Sequence, residues 1–135
     1  MKLRNINDIQ SLPSVLGLKE LNQYLIQLIE ILENDNTISQ AQAAEEINNL
    51  ISYQCFNEEG LSEETSLKIL NWIKSNYEPQ NKDSIECNSG SLANLNCYGV
   101  EEFINERIEK SNWEFEKNEL VDCLKEIKES KNGGE

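Results

Sequence analysis

Histidine is absent from the 135-residue sequence. The commonest general base, metal ligand and triad member is therefore missing, which excludes Ser-His-Asp and Cys-His catalysis. The four cysteines, Cys55, Cys87, Cys97 and Cys123, include no C-x-x-C pair, so zinc-site spacing is lacking. There is neither a phosphate-binding P-loop nor a G-x-G-x-x-G turn. No apolar run approaches the ~18 residues of a membrane span, and no apolar segment of the signal-peptide kind follows Met1-Lys2-Leu3-Arg4. Basic residues are scarce: 12 Lys and Arg stand against 25 Asp and Glu, a net charge of −13. Phosphate binding needs clustered cations, so nucleic acid is not the expected partner. These absences predict a non-enzymatic cytoplasmic protein with reduced thiols, no metal, no cofactor and no membrane contact.

What is present is helical periodicity. Leu18, Leu21, Leu25, Leu28, Ile29 and Leu32 recur at three and four residues and define one helix face. Asn34-Asp35-Asn36-Thr37 supplies turn chemistry. Ser39 can cap a second helix striped by Ala41, Ala44, Ile47, Leu50 and Ile51, whose small Ala41, Ala43 and Ala44 invite a close neighbour. Asn57 and Gly60 mark the next break. Ser62, followed by Glu63 and Glu64, starts a third helix bearing Leu67, Leu70, Ile73 and Tyr77, widened by Ile69 and Trp72. Pro79 ends it. Ile85, Leu92 and Leu95 suggest a fourth helix, although Ser89-Gly90-Ser91 interrupts it. Val100, Phe103, Ile104 and Ile108 form a fifth, and Ser111-Asn112 caps a sixth striped by Phe115, Leu120, Cys123, Leu124 and Ile127.

No segment reads as a strand. The fold class expected is all-α, with five to six helices in antiparallel pairs forming a single domain over 1–135. Residues 1–16 are a lead-in and 130–135 a frayed tail. Pairs begin near Leu18, Ser62 and Gly99, about the 40-residue period of HEAT and armadillo repeats. A single pair cannot bury its own apolar face, so stacking would complete the core. The alternative is an irregular helical bundle.

The acids define the candidate sites. Glu33 to Glu45 superficially resembles a calcium loop, but Ile38 stands where glycine must turn the chain and Ala44 where the bidentate acid belongs. Glu58, Glu59, Glu63 and Glu64 flank one inter-helix turn. Glu101, Glu102, Glu106 and Glu109 follow one another on the fifth helix, the last three on one face. Like charges so spaced repel, an unfavourable arrangement that points to a binding role, and Arg107 and Lys110 partly offset it. Trp113, at a helix start, is either a packing residue or a surface anchor. A basic protein surface is the partner such a chain predicts, because opposite fields speed encounter.

The segment Ser91-Leu92-Ala93-Asn94-Leu95-Asn96-Cys97-Tyr98-Gly99-Val100-Glu101-Glu102-Phe103-Ile104, with Leu120-Val121-Asp122-Cys123-Leu124-Lys125-Glu126-Ile127, resembles the helical, HEAT-like immunity proteins of bacterial polymorphic-toxin and contact-dependent growth inhibition systems. The resemblance covers about a third of the chain and implies a small acidic protein that neutralises one cognate toxin. Such a toxin is often a nuclease, whose basic surface an acidic helical face would cover. The competing expectation is a helical adaptor or subunit of a larger assembly, recognisable by an exposed apolar groove.

Overall fold

A computed structural model describes residues 2–13, 16–52 and 60–132, the side chains of 130–132 excepted. Among these residues there is no β-strand. A 3-10 helix, Ile6–Ser11, precedes six α-helices: α1 (Leu18–Asn34), α2 (Gln40–Ile51), α3 (Glu63–Asn76), α4 (Lys82–Leu92), α5 (Val100–Lys110) and α6 (Glu114–Asn132). No helix among the described residues is long and apolar enough to cross a membrane.

Local chemistry sets the helix starts. The hydroxyls of Ser39 and Ser62 accept from the amides of Gln42 and Thr65, and the Asn81 side chain accepts from Ser84. Each satisfies one of the donors that a helix N-terminus leaves unpaired. The sixth cap differs from the expected one. The carbonyl of Trp113 accepts from Lys117 N–H, so Trp113 holds the position before the helix and Asn112 lies outside it. The Ser111 hydroxyl accepts from the Trp113 amide at 3.2 Å.

The apolar stripes meet in one core. Leu21, Leu25 and Leu28 of α1, Ala44, Ile47 and Leu50 of α2, Ile69, Leu70 and Ile73 of α3, and Leu120 and Cys123 of α6 are all buried. The structure corrects the expectation for Leu67 and adds detail at both ends of the chain. The lead-in belongs to the core: Leu3, Ile9, Leu12 and Leu16 are buried, and the Leu3 amide donates to Gln27 Oε1 at 2.7 Å. Leu67 is exposed, because the buried face of α3 centres on Ile69, Leu70, Trp72 and Ile73. Helix α6 extends to Asn132, into the stretch expected as a frayed tail; residues 133–135 lie outside the described residues.

The even-numbered helices lie in file, α2 against α4 and α4 against α6, while α1 packs on α2 and α3 and α5 packs on α6. The expected pairs hold for α1/α2 and α5/α6. The middle pair departs, since α3 and α4 do not pack closely and α4 is drawn between α2 and α6. Here the irregular-bundle alternative is the better description.

The reason lies in α4's small side chains. Ser84, Ser89 and Ser91 are buried there, and the α4 backbone comes so near α2 that a Cβ on Gly90 would lie 2.9 Å from Asn48 Oδ1. The Ser-Gly-Ser run that weakens the helical pattern thus lets two helices approach. Gly90→Ala is expected to be nearly neutral. Alanine gains about 1 kcal/mol of helix propensity over glycine, and the end of the Asn48 side chain can rotate away. Gly90→Leu should cost about 2 kcal/mol by overpacking, and Asn48→Ala in the same chain should recover part of it. Urea unfolding of the three variants checks this; a neutral Gly90→Leu would contradict the close approach.

Candidate protein interface

Three acids from two helix starts far apart in sequence meet in space. Glu63 stands in the first turn of α3, and Glu101 and Glu102 stand in the first turn of α5. First-turn acids suit the positive end of a helix. The loop after α4 brings the two helix starts together. The Asn96 amide donates to Ser66 Oγ at 2.8 Å, and its side chain reaches Leu61 O at 3.4 Å. Gly99, at φ 100°, turns the chain into α5 through a conformation that other residues rarely adopt.

The result is a cleft of about 470 Å³. Glu63, Glu101 and Glu102 supply charge, while Leu95, Val100 and Ile127 supply apolar wall. Tyr98 also lines it and is 84% exposed. Cys97 lines it as well, its thiol pKa pushed up by burial and then by Glu63, with Lys74 opposing.

The remaining predicted residues are distributed as follows. Glu64 is exposed in the first turn of α3. Glu102, Glu106 and Glu109 are all exposed on α5, as their spacing predicts. Glu106 is paired with Lys110 at 2.6 Å, and that hydrogen bond holds its carboxyl below the usual range. Trp113 is 38% exposed and rests on Phe115, ring centres 5.1 Å apart. It follows the far end of α5, roughly 15 Å along the helix from the cleft, so the structure does not place it with Glu101 and Glu102. Glu58, Glu59 and Cys55 lie outside the described residues.

Arg107 does less for the α5 acids than expected, because its guanidinium turns inward. Both its Nε and its terminal nitrogen donate to Glu116 of α6, at 3.2 Å and at 3.2 and 3.3 Å. Glu116 is 1% exposed and also accepts from the Tyr77 hydroxyl at 2.5 Å. Burial, then Glu116, pushes the Tyr77 phenol pKa far up. Nothing in the sequence sets Glu116 apart from the other acids of its helix, so sequence reading misses this buried network.

It also misses a second acidic surface. Gln42, Glu45, Glu46 and Asn49 of α2 face Asp83, Glu86 and Cys87 of α4 across a groove of about 760 Å³. The carboxyl of Glu46 is pushed up by burial and by Glu45. The thiol of Cys87 is pushed up by burial and by Glu45, Asp83 and Glu86. The surface continues onto α6, where Glu119 is raised by burial, Glu86 and Asp122, with Lys82 opposing. Only the packing of α2, α4 and α6 makes these acids neighbours.

Among the described residues, no group of three or more Cys, Asp or Glu side chains is placed to hold a metal ion. Cys87, Cys97 and Cys123 are free thiols. The chemistry these surfaces offer is charge recognition: carboxylates beside apolar wall and an exposed aromatic ring. In comparison with known proteins, the chain matches no family model, no curated protein and no solved structure.

Proposed function

We propose that this chain is a non-catalytic binding protein that captures a basic protein partner, and that the Tyr98 cleft is its contact. The observation that carries the reading is the convergence of Glu63 with Glu101 and Glu102 around an exposed tyrosine. Each acid alone is an ordinary helix-start residue. Together they concentrate negative potential where a cation can be held with its aliphatic stem against Leu95, Val100 and Ile127. Tyrosine beside such a pocket is a common anchor of protein interfaces. The likeness to bacterial immunity proteins supplies the biological form of the proposal. The partner would be a cognate toxin, and an acidic face would occupy the basic surface that a nuclease keeps for phosphate.

The adaptor reading wants a continuous apolar groove. Among the described residues, the exposed large apolar side chains, Leu67, Tyr98, Trp113 and Val121, are instead spread over α3, the loop after α4, and α6 with its start. The acidic reading is therefore preferred.

The test is binding kinetics with the protein that this chain captures by pull-down from its native host. Association should slow steeply as salt shortens the Debye length to about 8–10 Å. Glu63→Lys with Glu102→Lys should weaken binding by at least roughly tenfold, the scale of losing one or more partly buried charge contacts. Glu30→Lys on α1, also at an exposed acid, should change it little. Circular dichroism verifies that the reversed chain stays folded. Wild-type kinetics in the double variant, with no salt effect, would refute the acidic contact.

A further inference from the structure

The outer surface of the α2–α4–α6 layer has a feature that a merely solvated acidic face lacks. Its acids run from Glu45 and Glu46, across the groove to Asp83 and Glu86, and on to α6. The Ser89 hydroxyl donates to the Glu119 carbonyl at 3.2 Å, which seats α6 on α4. At the α6 end the surface changes character. Lys82 of α4 lies over the Phe115 ring at 5.2 Å, and Phe115 in turn supports the exposed Trp113. An aromatic step with an engaged cation thus borders an open acidic groove.

We propose that this surface is a second docking site, separate from the Tyr98 cleft, for a basic amphipathic segment of a protein partner. Its apolar side chains would cover Trp113 and Phe115, and its cations would lie along Glu119, Glu86, Asp83, Glu45 and Glu46. Charge complementarity selects a basic occupant. The aromatic pair selects an amphipathic one, because a purely cationic chain leaves Trp113 in water. Glu45, Asp83 and Glu86 are exposed and Glu46 and Glu119 half-exposed, so an occupant reaches them without opening the fold.

The two tryptophans make the test direct, since Trp72 is buried and Trp113 is not. The probes are a tryptophan-free Lys/Leu amphipathic helical peptide and an oligolysine of equal charge, each added to the full chain. The amphipathic peptide should shift Trp113 emission to the blue and protect it from acrylamide, and Trp113→Phe should abolish both signals. Oligolysine should bind at least tenfold more weakly, without the shift. With labelled amphipathic peptide, Glu86→Lys with Glu119→Lys should weaken binding at least tenfold, while Glu63→Lys with Glu102→Lys should leave it within about twofold. Absence of the blue shift, equal binding of oligolysine, or loss of binding only on reversal of the cleft acids would each overturn the second site. None of these results depends on the partner of the Tyr98 cleft.

Discussion

Arg107→Ala is expected to destabilise the protein by about 3 kcal/mol, although Arg107 lies on a helix lined with exposed acids. Glu116 is almost wholly buried, and Arg107 is the cation that neutralises it. Removing one partner of a buried pair strands the other charge, which costs about 3–5 kcal/mol when both are deeply buried. The Arg107 side chain is 20% exposed, which places the effect at the low end. The guanidinium also packs 5.2 Å from the Tyr77 ring, and Tyr77 meets Phe103 edge to face, so truncation removes packing as well. Glu116→Gln in the Arg107→Ala chain should recover a good part of the loss, because the residue left behind is then neutral. Tyr77→Phe should cost about 1 kcal/mol, the usual worth of one hydrogen bond. Urea unfolding at neutral pH with unchanged m-values provides the comparison. A loss below about 1 kcal/mol for Arg107→Ala would mean that the pair behaves like a surface ion pair.

That network also marks a boundary of what sequence reading reaches. Glu116 sits among Glu114, Lys117 and Glu119 and reads as one more surface acid. Its partners lie nine and 39 residues away, and only folding reveals them. Helices α1, α2 and α5 are legible because their burial is carried by Leu, Ile, Val and Ala at helical spacing. Helix α4 is poorly legible for the opposite reason. Its buried face is largely Ser84, Asn88, Ser89 and Ser91, and close backbone approach to α2, rather than apolar bulk, fills the space. Part of that polar face is costly: Asn88 donates to Ser84 Oγ at 3.2 Å, but Asn88 Oδ1 and Ser91 Oγ make no hydrogen bond among the described residues.

The acidic sites divide in the same way. Each half of the Tyr98 cleft is visible in the sequence as first-turn acids, a local signal. Their union depends on Asn96 bridging to Ser66 and Leu61, a contact over more than a helix length. The α2–α4–α6 surface has no local signal at all, because Glu45, Glu86 and Glu119 belong to three helices. Trp113 shows both limits at once. Its place before a helix is legible, but which of two acidic surfaces it borders is a tertiary fact.

Stability should fall sharply on the alkaline side, and Cys123 should account for much of the fall. Its thiol is buried on the α4-facing side of α6, where it donates to the Ser89 carbonyl at 3.3 Å, and it is pushed up from 9.0 to about 11 by burial, with the Ser89 side chain opposing. A thiol is neutral when protonated. Below pH 9 both the folded and the unfolded chain keep the proton, and the full stability is present. Between pH 9 and about 11 the unfolded chain releases it while the folded chain retains it, so stability declines with rising pH. The slope for one group is about 1.4 kcal/mol per pH unit, or about 2–3 kcal/mol across the window. Tyr77, Cys87 and Cys97 are raised as well and act in the same direction. Cys123→Ser keeps a donor for Ser89 but does not ionise in this range. It should therefore lose less stability than the wild type between pH 8 and 10.5, although some decline remains from the other raised groups. Unfolding in urea under reducing conditions, at several pH values, measures the difference. Parallel alkaline slopes for the two proteins would show that Cys123 stays protonated no longer in the folded chain than in the unfolded one, and that its burial against α4 is looser than the packing requires.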